Sequence, residues 1–367
     1  MSVIGAPLGR QVGGASAAAA WRHLARLVRS HARWLLAGTV TAAAIGGAIL
    51  LLPVLGRLPG ELRVIWHGDM RWLATGLVLE ALSFAGQVVL FRAVYQGSGA
   101  RIGYRDSYEI TLAGHAATRL FASAGTGGIA LTAWALRRRG LAANEIARRM
   151  IAFLVLMYAV YVLALIAGGL GLWSGALSGG RSVALTLAPT GLAAVVAVVA
   201  MATPAGAARF ARLLRAQRDR ESRLSEALAK LAGASEALAD GLRLAWALIR
   251  QRRVGVLGAP LWWGFDLAVL WVSFKAFGQS LPAGVVLMAY LVGTLANMLP
   301  LPGGLGGVEG GMIGAFIAFG VHPELAVAAV LAYRLYAFWL PTIPGAIAYL
   351  QLRRTVKSWR EPALAAA

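Results

Sequence analysis

Two glycine-rich stretches decide how this chain is read: GHAATRLFASAGTGG at 114–128 and GTLANMLPLPGGLGG at 293–307. Offset by 179 residues, they are identical at six of fifteen positions, including Gly114/Gly293, Gly125/Gly304, Gly127/Gly306 and Gly128/Gly307. Each interrupts an apolar stretch, 107–136 or 284–320, with glycines or prolines that end one helix and start another. The same offset carries the apolar run 72–95 onto 251–274 and the run 150–173 onto 329–352. The likeness therefore extends to architecture, and each half reads span, interrupted hairpin, span.

Composition sets the medium. With 59% hydrophobic and 14% charged residues among 367, and a mean hydropathy of +0.69, the chain has too little polar surface for a soluble protein of its size. A hydrocarbon core about 30 Å thick takes about 20 helical residues, and six segments have that length: 34–55, 72–95, 150–173, 183–203, 254–277 and 324–350. There are no cysteines, hence no disulfide framework and no thiolate chemistry.

A net charge of +20 raises nucleic acid as a partner, but the placement of the cations argues against it. Of 35 Lys and Arg, 28 fall in segments that share one face, 4 in segments that share the other, and Arg119, Lys275 and Arg334 lie inside apolar runs. That asymmetry is the positive-inside signature. It places both termini in the cytoplasm and makes 107–136, flanked by arginines on both sides, a hairpin re-entering from the cytoplasm. The flanks of 284–320 carry no cation, which suits entry from outside. The halves then face opposite ways, as in inverted-repeat transporters with broken helices meeting near the midplane.

The expected fold is an all-α polytopic membrane helix bundle with six full spans, two broken re-entrant hairpins and repeat halves at 72–173 and 254–350. Basic cytoplasmic tails are expected at 1–33 and 351–367; a transit peptide is the other reading of the first. Between the halves, 204–253 forms an amphipathic cytoplasmic linker with leucines at three-four spacing, as one helix or as two broken near Gly233 and Gly241.

Ionisable groups in hydrocarbon are costly and mark functional sites. At 1.5 Å per residue, Glu80, Asp266 and Arg334 lie roughly 12 to 18 Å into their spans. His115 and Arg119 precede the first tip and Glu309 follows the second. Arg119, Arg334 and His115 thus stand against Glu80, Asp266 and Glu309 in one layer around a polar cavity; Arg119 and Arg334 are expected to attract a substrate phosphate and Glu309 to gate or couple there, while Glu80, His115 and Asp266 are available for coupling or pairing. Glu309 also suits a cap on the half-helix that begins at the glycines, and Arg334 suits a structural pair with it. The glycines Gly125, Gly127, Gly128, Gly303, Gly304, Gly306 and Gly307 offer half-helix N-termini for an anion. No HExxH, GxSxG, P-loop lysine or divalent-metal carboxylate cluster occurs. Neither catalytic residues nor metal or cofactor are expected.

The run NMLPLPGGLGGVEGGMIGAFIAFGV (297–321), followed by AYRLYAFWLPTIPGAIAYL (332–350), resembles the C-terminal signature of the lysylphosphatidylglycerol synthetase transmembrane, or flippase-like, family. GHAATRLFASAGTGG is similar to its earlier motif, with Thr118 and Ala122 where Asn and Pro are often found. The resemblance covers roughly 70–350 and implies an inner-membrane protein associated with lipid translocation. By match to motif, Glu309, Arg334, Gly303, Gly304, Gly306 and Gly307 carry over. The namesake's soluble aminoacyl-transfer domain has no counterpart in the short segment after the last span, so aminoacyl transfer is not expected. The expected function is a non-enzymatic translocator of lipid or lipid-linked substrate, binding anionic headgroups of membrane lipids; the alternative is an accessory subunit partnering a membrane glycosyl- or acyltransferase.

Overall fold

The computed structural model describes residues 68–97, 102–120, 126–180, 182–216, 223–298 and 306–359. The chain divides into a unit ending at Gly56 and a second from Arg57 to Ala367; the expected basic tail at 1–33 and span at 34–55 lie outside the described residues. Everything below concerns the second unit.

Among the described residues all regular structure is helical: α1 Met70–Tyr95, α2 Tyr104–Leu120, α3 Thr126–Arg138, α4 Ala143–Ser174, α5 Leu187–Ala216, α6 Arg223–Arg250, α7 Gly258–Ala276, α8 Ala283–Thr294, α9 Gly307–Ala318, α10 Pro323–Arg334 and α11 Thr342–Ser358. Short 3-10 turns at Val254–Leu257 and Leu295–Met298 lead into α7 and extend α8, and a π-bulge at Leu335–Trp339 joins α10 to α11.

Four helical segments are long and apolar enough to cross a membrane: Met70–Tyr95, Ala143–Ser174, Val254–Ala276 and Pro323–Ser358. They match four of the six expected spans. At 183–203, helix begins only at Leu187 and its apolar part ends at Thr203, about 25 Å at 1.5 Å per residue. Both interrupted stretches are pairs of short helices, α2 with α3 and α8 with α9. The arms of each pair pack together where glycines let the backbones approach. A Cβ on Gly128 would stand 2.6 Å from the Gly114 oxygen, and one on Gly293 2.7 Å from the Met312 nitrogen. The linker helix α6 runs unbroken through Gly233 and Gly241 and packs on α4 and α5, with Ala239, Ala245 and Leu248 buried. Residues 351–358, expected as the start of a tail, continue α11 and bury Leu352 and Val356.

The most extensive helix contact is between α1 and α7. They run antiparallel: Asp69 N donates to Ala276 O at 2.8 Å, Ser83 Oγ to Trp262 O at 3.0 Å, and Gly86 meets Gly258. A Cβ on Gly258 would stand 2.2 Å from the Gly86 oxygen and 2.7 Å from the Leu90 nitrogen, so the backbones touch. Lipid tails are as apolar as leucine, so close van der Waals packing of this kind is what holds membrane helices together.

Two apolar cores result. One gathers Leu73, Leu165, Leu270, Phe274, Met288 and Phe316; the other gathers Leu90, Ile110, Leu136, Leu156 and Leu352. Helices α1, α4 and α7 contribute to both, and Glu80, Tyr158 and Asp266 fall in the stretch between. Outward-facing Leu77, Val78, Leu163, Leu192, Val195 and Val198 are exposed, as expected of surfaces solvated by lipid.

Arg149 closes the fold at one end. It is 5% exposed; its Nη1 donates to the Val94 carbonyl and to Gln96 O at 3.3 Å, its Nη2 to Gly97 O at 3.2 Å, and its Nε to Glu145 at 2.5 Å. A cation thus satisfies the orphan carbonyls and negative dipole end of α1.

Two outcomes follow. Gly258→Val forces α1 and α7 apart and should cost about 1–3 kcal/mol, lowering the thermal midpoint of the detergent-solubilised protein; Gly264→Ala, which meets nothing within 4 Å, should leave it unchanged or slightly higher. Arg149→Ala should destabilise by about 3 kcal/mol or more, and Arg149→Lys should recover only part, because one ammonium cannot reproduce the guanidinium fork.

Candidate functional site

Between the two cores a cavity of about 320 Å³ is lined by residues of α1, α2, α4, α7, α8 and α10 together with the turns that follow α8 and α10. Helical spacing explains how sequence delivers them. Glu80 and Phe84 are one turn apart on α1, His115 and Arg119 on α2, Trp262 and Asp266 on α7, Tyr290 and Thr294 on α8, and Tyr333 and Ala337 straddle the start of the bulge. Residues four apart share a helix face, so each element presents one polar edge to the same space.

The anionic side is built on Asp266, 7% exposed. Its Oδ2 accepts from the Tyr333 hydroxyl at 2.9 Å and from the Tyr290 hydroxyl. Glu80, 5% exposed, faces it from α1, and its Oε2 is buried without a hydrogen-bond partner among the described residues. Beside them, Gln87 Oε1 lies 2.5 Å from His115 Nε2, whose ring meets Phe84 edge-on at 5.1 Å.

The cationic side depends on the break in the last span. Pro341 has no N–H for the Ala337 carbonyl four residues earlier, and the chain widens into the π-bulge, with Leu340 N donating to Leu335 O at 2.9 Å. Arg119 fills the gap: Nη2 donates to Ala337 O at 2.6 Å and Nη1 to Phe338 O at 2.9 Å. Arg334 precedes the bulge and donates Nε to Glu309 Oε1 at 2.6 Å, while its Nη2 is buried without a partner among the described residues. The two guanidinium carbons stand 5.2 and 4.7 Å from the Phe338 ring centroid, a cation–π arrangement that favours desolvated arginine.

Glu309 does two jobs. Its Oε2 accepts from Gly306 N at 2.7 Å, capping α9, while its Oε1 holds Arg334. Gly306 has φ +79° and no side chain with which to cap its own helix. The equivalent place in the first hairpin is taken by Thr118, whose hydroxyl accepts from Gly128 N at 3.1 Å and donates to Gly114 O at 3.0 Å.

The structure therefore brings Glu80, His115, Arg119, Asp266 and Arg334 to one cavity and ties Glu309 to it through Arg334. Gly127, Gly128, Gly306 and Gly307 sit at the starts of α3 and α9, and Gly125, Gly303 and Gly304 lie outside the described residues. The cavity also holds Tyr290, Tyr333 and Trp263, which no sequence motif marks as functional; the Trp263 indole donates to Met157 O at 2.8 Å. The signal available for Tyr290 and Tyr333 was their hydroxyls, placed at mid-helix within apolar runs.

The model of the lysylphosphatidylglycerol synthase TM region matches residues 39–345. Curated relatives include two UPF0104 membrane proteins of Methanothermobacter thermautotrophicus, one 34% identical over 28% of this chain and 31% of its own length, the other 36% identical over 30% and 32%. The UPF0104 membrane protein MJ1595 of Methanocaldococcus jannaschii is 36% identical over 25% of this chain and 28% of its own length. The chain spans about a third of the length of the curated relatives it matches. A match over most of the chain, on a bundle of long apolar helices, places it: this integral membrane protein belongs to the lysylphosphatidylglycerol synthase TM region family.

Proposed function

We propose that the protein is a translocator of lipid or lipid-linked substrate in a bacterial-type cytoplasmic membrane, taking an anionic headgroup into the cavity between the two cores. The observation that carries the reading is Arg334 Nη2, a guanidinium donor buried beside that cavity with no partner among the described residues. An unsatisfied buried charge-bearing donor is expensive, and an anionic oxygen of a phosphodiester is the ligand chemistry that relieves it. Aromatic walls from Phe84, Trp263 and Phe338 complete an amphipathic lining suited to the boundary between headgroup and acyl chain.

Transport also needs two access states. The proposed route is an inverted repeat whose halves rock about a midplane site, with six spans, two re-entrant hairpins and both termini cytoplasmic. Three observations support it. Helix starts recur near the 179-residue offset: Tyr104 against Ala283, Thr126 against Gly307 and Ala143 against Pro323. The counterparts α1 and α7 are antiparallel and in contact, as units entering from opposite faces must be. Gln87 and Asp266 occupy equivalent positions, and each bonds to the helix that follows in its own half, at His115 and Tyr290. With the α9 N-terminus already capped by Glu309 and Gly128 N taken by Thr118, the arginines carry the anion-binding role in this reading, and the glycines let the helix arms approach. The basic asymmetry, 28 of 35 cations on one side, supports the orientation. No enzymatic role is part of this reading.

Reconstituted protein should redistribute acyl-labelled phospholipid or polyprenyl-lipid between leaflets; no redistribution of any native lipid class sinks the proposal. Native mass spectrometry of the purified protein should find retained anionic lipid. Arg334→Gln should weaken its retention by about 10- to 100-fold, the loss of one to two charged hydrogen bonds. Retention and transport unaltered in that variant would remove Arg334 from the site.

A further inference from the structure

The register of α1 against α7 has a consequence for charge. Asp69 lies against Ala276, Ser83 against Trp262 and Gly86 against Gly258, so in this antiparallel pair residue 80 stands across from residue 266. Both are carboxylic acids, both are buried and both line the same cavity. Asp266 accepts hydrogen bonds from the neutral hydroxyls of Tyr290 on α8 and Tyr333 on α10, and Glu80 Oε2 has no partner among the described residues. No guanidinium bridges the two acids. Arg119 on α2 gives its Nη atoms to the carbonyls of the bulge, and Arg334 on α10 gives its Nε to Glu309 on α9. The remaining titratable neighbours are His115, held by Gln87, and Tyr158 of α4, which lines the cavity.

Adjacent carboxylates in a low-dielectric site cannot both ionise, so the pair retains one proton. Arg334 is then balanced by Glu309, and the singly protonated pair by Arg119. An anionic headgroup that engages Arg334 Nη2 beside Arg119 adds a negative charge to this balanced, buried set, which favours taking up a second proton. Resting on the reading of the cavity as a headgroup site, we propose that Glu80 and Asp266 form the proton-coupling element of this translocator, binding one proton with each anionic headgroup. The proton comes from water on the side from which the headgroup enters and leaves to water on the other side. The loaded cavity carries the same net charge as the empty one, so the cycle is an electroneutral symport.

The test uses full-length protein in phosphatidylcholine vesicles with a trace of acyl-labelled phosphatidylglycerol. At equilibrium a one-unit pH gradient should give about a tenfold transbilayer bias of the probe, one proton per lipid, and any movement left in Glu80→Gln should ignore the gradient. A wild-type distribution indifferent to the gradient, or a bias that survives in both Glu80→Gln and Asp266→Asn, overturns the coupling and leaves translocation standing. If the wild type moves no probe, the translocator reading falls, and with it the symport. Infrared spectroscopy then decides the shared proton by itself. At neutral pH the wild type should show a carboxylic-acid carbonyl band that Glu80→Gln removes and Glu309→Gln keeps; its absence from the wild type, or persistence in Glu80→Gln, overturns the paired acid.

Discussion

Where α1 crosses α7, the Gly86 and Gly258 backbones meet with no side chain between them, and the arrangement of the polar centre follows from that approach. A methyl group at either position would collide with main-chain atoms, so the glycines fix both the distance between the helices and their register. With the register set by Asp69 and Ala276 at one end and by Ser83 and Trp262 further along, Glu80 comes to face Asp266. Both helices contribute to each of the two apolar cores, and Glu80 and Asp266 line the cavity with residues of the other helices.

A polar centre in such a bundle persists only when its charges are compensated. The break at Pro341 exposes carbonyls that would be costly in lipid, and Arg119 answers both the carbonyls and its own burial. Glu309 neutralises Arg334 while capping α9, so a single carboxylate joins the second hairpin to the last span. Arg149 plays the corresponding part at the end of α1. Arg119 and Arg149 come to their sites from a different element, whereas Glu309 caps its own helix while binding α10, and each pairing makes the break a structurally specific site.

Much of this centre was legible in the chain. Glu80, Asp266, Arg119 and Arg334 stand out because a charge within an apolar run is costly wherever it points, and the glycine runs announce the broken hairpins by their backbone chemistry. Tyr290 and Tyr333 did not stand out, since aromatic residues are common in membrane segments and only proximity to Asp266 gives their hydroxyls a role. Arg149 is one cation among many in a basic segment of the sequence, and a residue count along the chain cannot distinguish a charge in water from one turned back onto a helix end.

The sequence by itself determined the medium, the helical class, the interrupted hairpins and the list of costly charges. All of these follow from local properties: hydropathy over a window, glycine and proline stereochemistry, and the desolvation of single ions. Only the tertiary structure decided which charges neutralise one another, that the two acids face each other, and that Arg119 serves a bulge more than two hundred residues away. Those outcomes depend on helix register and on approach distances set by glycine contacts between elements remote in sequence, and no local property of the chain encodes them.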